Sequence, residues 1–385
     1  MKSKLTIVIV ARNAEATIAR AVASVRASGE WPILLIDDCS DDETINVANE
    51  VGGEFLKVHK TKQAVGIGNA RQTALDHLTT DFAIWLDADD EILPHRPAAM
   101  LGALKADADL CFDDAILFDP ATGDDKHLLP IPAFVKEPCG ILRSYERNWI
   151  PALTGGFKTA FARSVGYDRS FPCAEDYDFL LRAIAAGAKI RFLDSVGYRY
   201  AHSAQTASRY IELTQKFCEI ALAKHDFSSL RKRLEGSGLP EGDRIFTLAQ
   251  VADKLGDIQA WHAAVQDLGT TEGLIPPYDR PGAWLSAYLR ATSALRAHEY
   301  AAAAQLLTPL VGNDPSADIY NNLGVALWHL DDHAAAKQQW QRAVELMPLY
   351  LDATENLKMS LSGTPQRVTE APLRRAANRS SYVPR

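Results

Sequence analysis

Long apolar runs are the first thing this chain lacks. No stretch of its 385 residues approaches the length needed to span a bilayer. The run at 5–10, LTIVIV, is too short and too soon followed by polar residues to read as a secretion signal. Cysteine is scarce. The five present, Cys39, Cys111, Cys139, Cys173 and Cys218, show no paired spacing that would chelate zinc or mark a redox motif, so free thiols are expected. Nor is there a basic excess. With 41 Lys and Arg against 49 Asp and Glu, the formal net charge of −8 argues against general nucleic-acid binding and against a basic face that docks on membranes. A composition of 47% hydrophobic and 23% charged residues is ordinary globular usage. A cytoplasmic protein with no transmembrane segment is expected, long enough for two domains.

What the chain does have is alternation. The apolar run at 5–10 breaks into Ala11-Arg12-Asn13, and an alanine-rich helix is expected from near Ala14 to Gly29. A second run, 32–36, ends in Asp37 and Asp38. Ser40 with Glu43 three residues on reads as a capping box, so a helix is expected to start there and run toward Gly52-Gly53. Residues 54–58 make a short third strand and 66–78 a third helix. Residues 82–86 make a fourth strand, apolar throughout as a parallel strand covered on both faces is. This pattern predicts an α/β fold with a mostly parallel sheet and right-handed crossovers. The ends of the first, second and fourth strands should gather at one crevice.

The fourth strand ends abruptly in Asp87-Ala88-Asp89-Asp90. Carboxylates packed there repel one another unless a cation lies between them. Open α/β sheets place ligands at the carboxyl ends of their strands, so these acids point to a divalent metal and, through it, to an anionic substrate such as a diphosphate. A solvated turn is the plain alternative for an isolated Asp-x-Asp. The surrounding motifs favour the metal. Arg12-Asn13, Asp37-Asp38-Cys39-Ser40-Asp41, Gly66-x-Gly68-Asn69-Ala70-Arg71 and the acid cluster precede Leu153-Thr154-Gly155-Gly156. Glu175-Asp176-Tyr177-Asp178 with Arg182, then Tyr198-Arg199-Tyr200 and His202, follow. In order and spacing this set resembles a family 2 glycosyltransferase with the A-type fold, over about residues 4–210. Two positions depart from the family. It usually has Pro or Ser before a Tyr-Asn pair where this chain has Ala11-Arg12-Asn13, and a small residue in place of Cys39.

The resemblance implies an enzyme of hexosyltransferase type with assigned residues. Asp89 is the implied metal ligand, with Asp90 the alternative if the register differs by one, and Asp87 lies toward the ribose or the metal. His202 matches the late histidine that reaches the metal or diphosphate. The implied cofactor is Mn²⁺ or Mg²⁺, which acts as a Lewis acid on the leaving diphosphate. Asp38 takes the position that binds the nucleobase imide, favouring a UDP-sugar. Arg71 is expected near the diphosphate, and Arg12 in the nucleotide pocket. Asp176 is the implied base that activates the acceptor, with Glu175 shaping the pocket. Each has a plainer reading. Asp38 and the acids at 175, 176 and 178 also suit helix N-termini, Arg71 a solvated helix face, and His202 a satisfied surface or core position. Direct displacement with one base inverts the anomeric centre, and no nucleophile for a retaining route is evident. A saccharide is the family's usual acceptor, with a polypeptide as second option. Nucleotidyltransfer is disfavoured because no glycine-rich loop follows Val10. A non-catalytic nucleotide-binding scaffold stays open, although Asp89, Asp176 and His202 are costly to cluster without a task.

Past about residue 205 the pattern turns to helices alone. A long amphipathic stretch covers 204–227, and Glu235-Gly236-Ser237-Gly238-Leu239-Pro240 marks a connector. The resulting division is a catalytic domain at 1–210, a helical connector at 211–240, helical repeats at 241–361 and a disordered basic tail at 362–385. Leu323, Gly324, Leu327, Ala336, Trp340, Ala343 and Pro348 sit where a tetratricopeptide repeat wants them. One repeat upstream, Tyr300, Ala303, Leu307, Leu310 and Pro315 align with His333, Ala336, Trp340, Ala343 and Pro348. A fainter copy runs from Leu255 to Leu268. Such repeats leave a concave face for a protein partner or a polypeptide acceptor, or they only brace the fold.

Overall fold

Strand β1 (Leu5–Ala11) is fixed by apolar side chains on both faces and lies between β2 (Ile33–Asp37) and β4 (Phe82–Asp87), parallel to each. The register sets Ala11 opposite Asp37 and Val10 opposite Asp87, so both acids emerge at one edge of the sheet. Strand β3 (Leu56–Lys60) extends this parallel block beyond β2. The structure is a computed structural model that describes residues 4–64, 66–201, 211–348, 350–363 and 367–373. It divides into two units, Met1–Asp226 and Phe227–Arg385.

In the first unit, helices α1 (Ile18–Ala27), α2 (Thr44–Gly52) and α3 (Ile67–His77) make the crossovers. Beyond β4 come β5 (Glu91–Ile92), α4 (Arg96–Lys105), β6 (Leu110–Phe118), β7 (Asp125–Leu129) and α5 (Ala133–Lys136). Then follow β8 (Gly156–Lys158), α6 (Thr159–Val165), α7 (Glu175–Ala185), β9 (Ile190–Ala201) and α8 (Ile211–Ala223). The sheet order is β3-β2-β1-β4-β8-β6-β9-β5, with β7 paired to β6. The expected α/β architecture is present, and the parallel pairing recurs between β6 and β9. Strands β5, β7 and β8 run antiparallel to their neighbours. Ile7, Ile9, Val22, Val25, Ile84 and Leu86 form the centre of the core under α1.

Two helix starts differ from the sequence expectation. Helix α1 begins at Ile18 rather than near Ala14, because Ala14 turns the chain: its carbonyl accepts from the N–H of Thr17 and of Ile18, and its own N–H donates to Thr44 Oγ1. Helix α2 begins at Thr44, so Ser40 and Glu43 form no capping box. Ser40 Oγ instead accepts the Asn13 N–H at 2.9 Å, a tertiary contact between the ends of β1 and β2. The expected helix at 204–227 is seen as α8, and residues 202–210, His202 among them, lie outside the described residues.

The second unit begins with α9 (Phe227–Glu235) and, after the Gly/Pro connector, α10 (Glu241–Leu255) and α11 (Ile258–Leu268). A hairpin of two-residue strands, β10 (Leu274–Ile275) and β11 (Arg280–Pro281), interrupts the helices. Helices α12 (Gly282–Arg296), α13 (Tyr300–Asn313), α14 (Ala317–His329), α15 (His333–Leu346) and α16 (Leu351–Met359) complete it. Successive helices pack as the hairpins α10–α11, α12–α13 and α14–α15. Ala303, Ala336, Ala343 and Trp340 are fully buried between them. Gly324 has a steric reason: a Cβ there would stand 2.5 Å from the Trp340 indole nitrogen. Residues 367–373 are not a disordered tail. They lie extended in this unit, their backbone groups paired with asparagine side chains of α14 and α16. Among the described residues no helix is long and apolar enough to cross a membrane.

Candidate active site

The acids after β4 have three distinct environments. Asp90 is buried at 2% exposure, and both its oxygens are committed: Oδ2 accepts the Tyr198 hydroxyl at 2.6 Å and Oδ1 accepts the Ala201 N–H at 2.7 Å. Tyr198 Oη in turn accepts the Asp87 N–H at 3.2 Å. Asp90 and Tyr198 thus clamp β9 against the end of β4. Burial, with Asp89 and Asp87 nearby, holds the Asp90 carboxyl well above the usual carboxylate range. Asp89 is exposed, and Arg20 Nη2 fixes its carbonyl at 2.7 Å while Arg20 Nε pairs with Glu91 at 3.1 Å. Crowding by the surrounding protein and the charge of Asp87 raise the Asp89 carboxyl above its ordinary value. Asp87 is half-buried.

Arg71 joins Asp87 to the other half of the unit. A Cβ on Gly68 would stand 2.4 Å from the Asp168 carbonyl and 2.7 Å from that of Phe171, so only glycine lets the first turn of α3 dock there. The Gly68 N–H donates to Phe171 O at 3.1 Å. One turn on, Arg71 is 2% exposed and lies over the Trp85 ring at 4.9 Å. Its Nη2 meets Asp87 Oδ1 at 3.1 Å and its Nε lies 2.8 Å from Glu175 Oε1. Nη1 has no hydrogen-bond partner among the described residues. The plainer alternative for Arg71, a solvated helix face, is therefore set aside.

Ala174, in the left-handed region at φ +56°, turns the chain so that Glu175 and Asp176 occupy the first turn of α7, where the helix dipole favours carboxylates. Asp176 Oδ1 accepts the Tyr177 N–H at 2.7 Å. It lines a small cleft with Trp85, Leu153, Gly155, Gly156 and Tyr167, and it is the one acid in that lining. One arginine thus faces three acids, Asp87, Glu175 and Asp176. Burial pushes the Glu175 carboxyl up to about 8, opposed by Arg71 and reinforced by Asp176. Asp176 is raised as well, again by burial against the pull of Arg71. Asp178 is spent elsewhere, fully buried between Arg182 at 2.6 Å and Lys224 at 2.7 Å.

The structure gathers Arg71, Asp87, Asp89, Glu175 and Asp176, with Asp90 behind them as a clamp. Asp38 sits apart at the end of β2, 3% exposed. Its Oδ1 accepts the Thr61 hydroxyl and its Oδ2 the Gly66 N–H, each at 3.0 Å, so it also anchors the loop before α3. Arg12 is exposed, and His202 lies outside the described residues. Tyr198, Arg20 and Trp85 were not singled out from the sequence as site residues. Only the Tyr198-Arg199-Tyr200 motif signalled one of them.

Among the described residues no three His, Cys, Asp or Glu side chains converge as a closed metal cage. The donor set still fits Mn²⁺ or Mg²⁺. Such ions keep several waters and need one or two carboxylates plus substrate phosphates, and Asp89 offers an exposed carboxylate with that of Asp87 nearby.

The chain is similar to several known proteins. Residues 6–165 match the family described as Glycosyl transferase family 2. The succinoglycan biosynthesis protein ExoU of Rhizobium meliloti is 33% identical over 206 residues, covering 50% of this chain and 60% of that protein. WfgD of Escherichia coli, a UDP-Glc:alpha-D-GlcNAc-diphosphoundecaprenol beta-1,3-glucosyltransferase, is 33% identical over 88 residues, 22% of this chain and 35% of that one. The chain thus spans less than two thirds of the length of either relative. Among solved structures, Staphylococcus aureus TarS 1-349 in complex with UDP-GlcNAc aligns with a TM-score of 0.49 at 15% identity, over 88% of this chain and 92% of that one.

Proposed function

We propose, from a glycosyl transferase family 2 domain at residues 6–165, that this chain is a metal-dependent, inverting glycosyltransferase. In this reading it moves a sugar from a UDP-sugar to a saccharide or polypeptide acceptor, in the cytoplasm. The observation that carries the reading is the Arg71 bridge, which joins the acid at the end of β4 to the acids opening α7. Donor-side and acceptor-side groups are thereby held in one charged cluster.

Asp89, with Asp87 beside it, would hold the metal. When bound there, Mn²⁺ or Mg²⁺ neutralises charge on the leaving diphosphate. Asp176, in the cleft, takes the proton from the acceptor hydroxyl as the sugar is transferred, and a single base with direct displacement inverts the anomeric carbon. Glu175 shapes the pocket beside that base, and Arg71 holds it in place. Asp38 is assigned to the nucleobase: a carboxylate oxygen has two lone pairs, so one engaged with Thr61 or Gly66 can still accept an imide N–H. A UDP donor and a sugar-bearing acceptor are supported by the name of WfgD. The hairpins of the second unit are read as tetratricopeptide-like, on the Gly324, Trp340 and buried alanine positions.

The test is a thermal-shift series with nucleotides. UDP with Mn²⁺ is expected to raise the melting temperature, while GDP and CDP leave it unchanged, since a ligand that binds only the folded state stabilises it. An equal shift with all three nucleotides, or none with UDP and metal, contradicts the assignment.

A further inference from the structure

The acids assigned to the metal stand on a turn that does little to hold itself. Strand β4 ends at Asp87, and residues 87–90 are closed by the Asp90 N–H donating to Asp87 O at 3.2 Å, at the long end of the hydrogen-bond range. What fixes the turn comes from elsewhere in the chain. Tyr198 lies inside β9, in register with Ile92 of β5 on one side and Ala115 of β6 on the other, so the sheet sets its backbone. Its ring is set separately. It packs under the Arg96 guanidinium at 4.8 Å, and Arg96 is itself locked by Asp113 and by the Thr154 carbonyl, each at 2.9 Å. Glycine at 197 makes room for that ion pair, because a Cβ there would collide with the Asp113 carboxylate and the Arg96 side chain. The ring is thus in place whatever its hydroxyl does.

The hydroxyl makes two bonds, one to each end of the turn. It accepts the Asp87 N–H at 3.2 Å and donates to Asp90 Oδ2 at 2.6 Å. A second hold comes from α1, where Arg20 Nη2 donates to the Asp89 carbonyl at 2.7 Å and Arg20 Nε lies 3.1 Å from Glu91. Glu91 also pairs with Arg199, the neighbour of Tyr198 on β9, so both holds are tied to one strand. Asp87, Asp89 and Asp90 are each fastened by a group from outside the turn, while Asp89 itself stays exposed. Tyr198 is fully buried, so it acts only through the turn.

We propose that Tyr198 and Arg20 are positioning residues for the metal-side carboxylates, holding the 87–90 turn in one shape before the cation arrives. The inference rests on the reading of Asp89 and Asp87 as the metal carboxylates. Groups standing behind metal ligands typically control about 10–100-fold of metal affinity. They also control selectivity. Mg²⁺ demands near-ideal octahedral geometry, whereas Ca²⁺ accepts irregular and variable ligand sets, so a turn released from its holds should lose Mg²⁺ more than Ca²⁺.

The experiment uses the full chain with UDP and reads Mn²⁺ binding from loss of the free-ion electron paramagnetic resonance signal, with Mg²⁺ and Ca²⁺ measured by competition. Tyr198→Phe deletes the hydroxyl and keeps the ring. It is expected to weaken Mn²⁺ binding at least tenfold and to lower the ratio of Mg²⁺ to Ca²⁺ affinity at least threefold. A general loss of stability leaves that ratio untouched, because unfolding removes the site for both ions equally. A folded variant that binds Mn²⁺ as the wild type does, or that loses all three ions in proportion, overturns the proposal. Wild type that binds no Mn²⁺ in the presence of UDP overturns the metal reading itself and this inference with it, so the two failures are told apart by the wild type. If Tyr198→Phe does not fold, Arg20→Ala decides, since the Arg20 side chain is partly exposed and its loss leaves the core intact. That variant is expected to bind Mn²⁺ at least threefold more weakly, with the same fall in the Mg²⁺ to Ca²⁺ ratio. Unchanged affinity there refutes the preset turn.

Discussion

At the scale of single residues, the chemistry rests on which acid is free and which is spent. Asp90 and Asp178 are spent on Tyr198 and on Arg182 and Lys224, and in the proposed reading Asp89 serves the donor and Asp176 the acceptor. Asp89→Ala is expected to abolish Mn²⁺-dependent UDP binding and transfer while the fold persists, checked by calorimetry beside circular dichroism; retained turnover contradicts it. Asp176→Asn keeps its shape but accepts no proton. Transfer should fall by about 10²–10⁴ with donor affinity near wild type. The Glu175 and Asp176 carboxyls are both raised, so the rate should climb with pH as the pair loses its shared proton, and Glu175→Gln should move that limb to lower pH. Stability runs the other way. An acid whose carboxyl titrates near 8 when folded and near 4.5 when unfolded binds more protons in the native state, so its contribution is full below 4.5 and is lost as pH rises through about 8. Urea midpoints measured across that range should fall with pH, and Glu175→Gln should flatten the slope.

At the scale of elements, the apolar runs of β1, β2 and β4 were legible because strands covered on both faces leave no other pattern. The acids at their ends were legible because they interrupt it. The start of α2 was not. Ser40 and Glu43 carry the local signature of a cap, but Ser40 Oγ is taken by Asn13, 27 residues earlier, which no local window reveals. Likewise the ties of Tyr198 to Asp87 and Asp90 cross 111 and 108 residues. In the helical hairpins the small and large positions were readable because they are local. Gly324→Ala tests that reading by magnitude. Replacing a helical glycine ordinarily gains about 1 kcal/mol, whereas forcing a methyl against the buried Trp340 indole costs about 1–3 kcal/mol. A net loss of up to about 2 kcal/mol is therefore expected in chemical denaturation, and a gain would show that the indole has room to move.

At the scale of the whole molecule, residues named here for donor and base chemistry all lie in the first unit, before residue 226. A fragment of residues 1–226, once shown to be folded, is expected to keep the UDP response of the full chain. Loss of that response in a folded fragment would place part of the donor site in the second unit. The tail was the least legible segment. Its basic, proline-containing composition predicts disorder, and only tertiary contact with Asn322 and Asn356 orders residues 367–373.

That segment also decides where the chain can be shortened. A truncation ending at residue 363 would keep every helix of the second unit, yet it would remove the main chain that satisfies the Asn322 and Asn356 amides. A buried polar group left without its partner costs about 1–3 kcal/mol, a sizeable part of the roughly 5–15 kcal/mol that holds a domain folded. A cut chosen from helix boundaries alone would therefore destabilise the unit while deleting none of its helices.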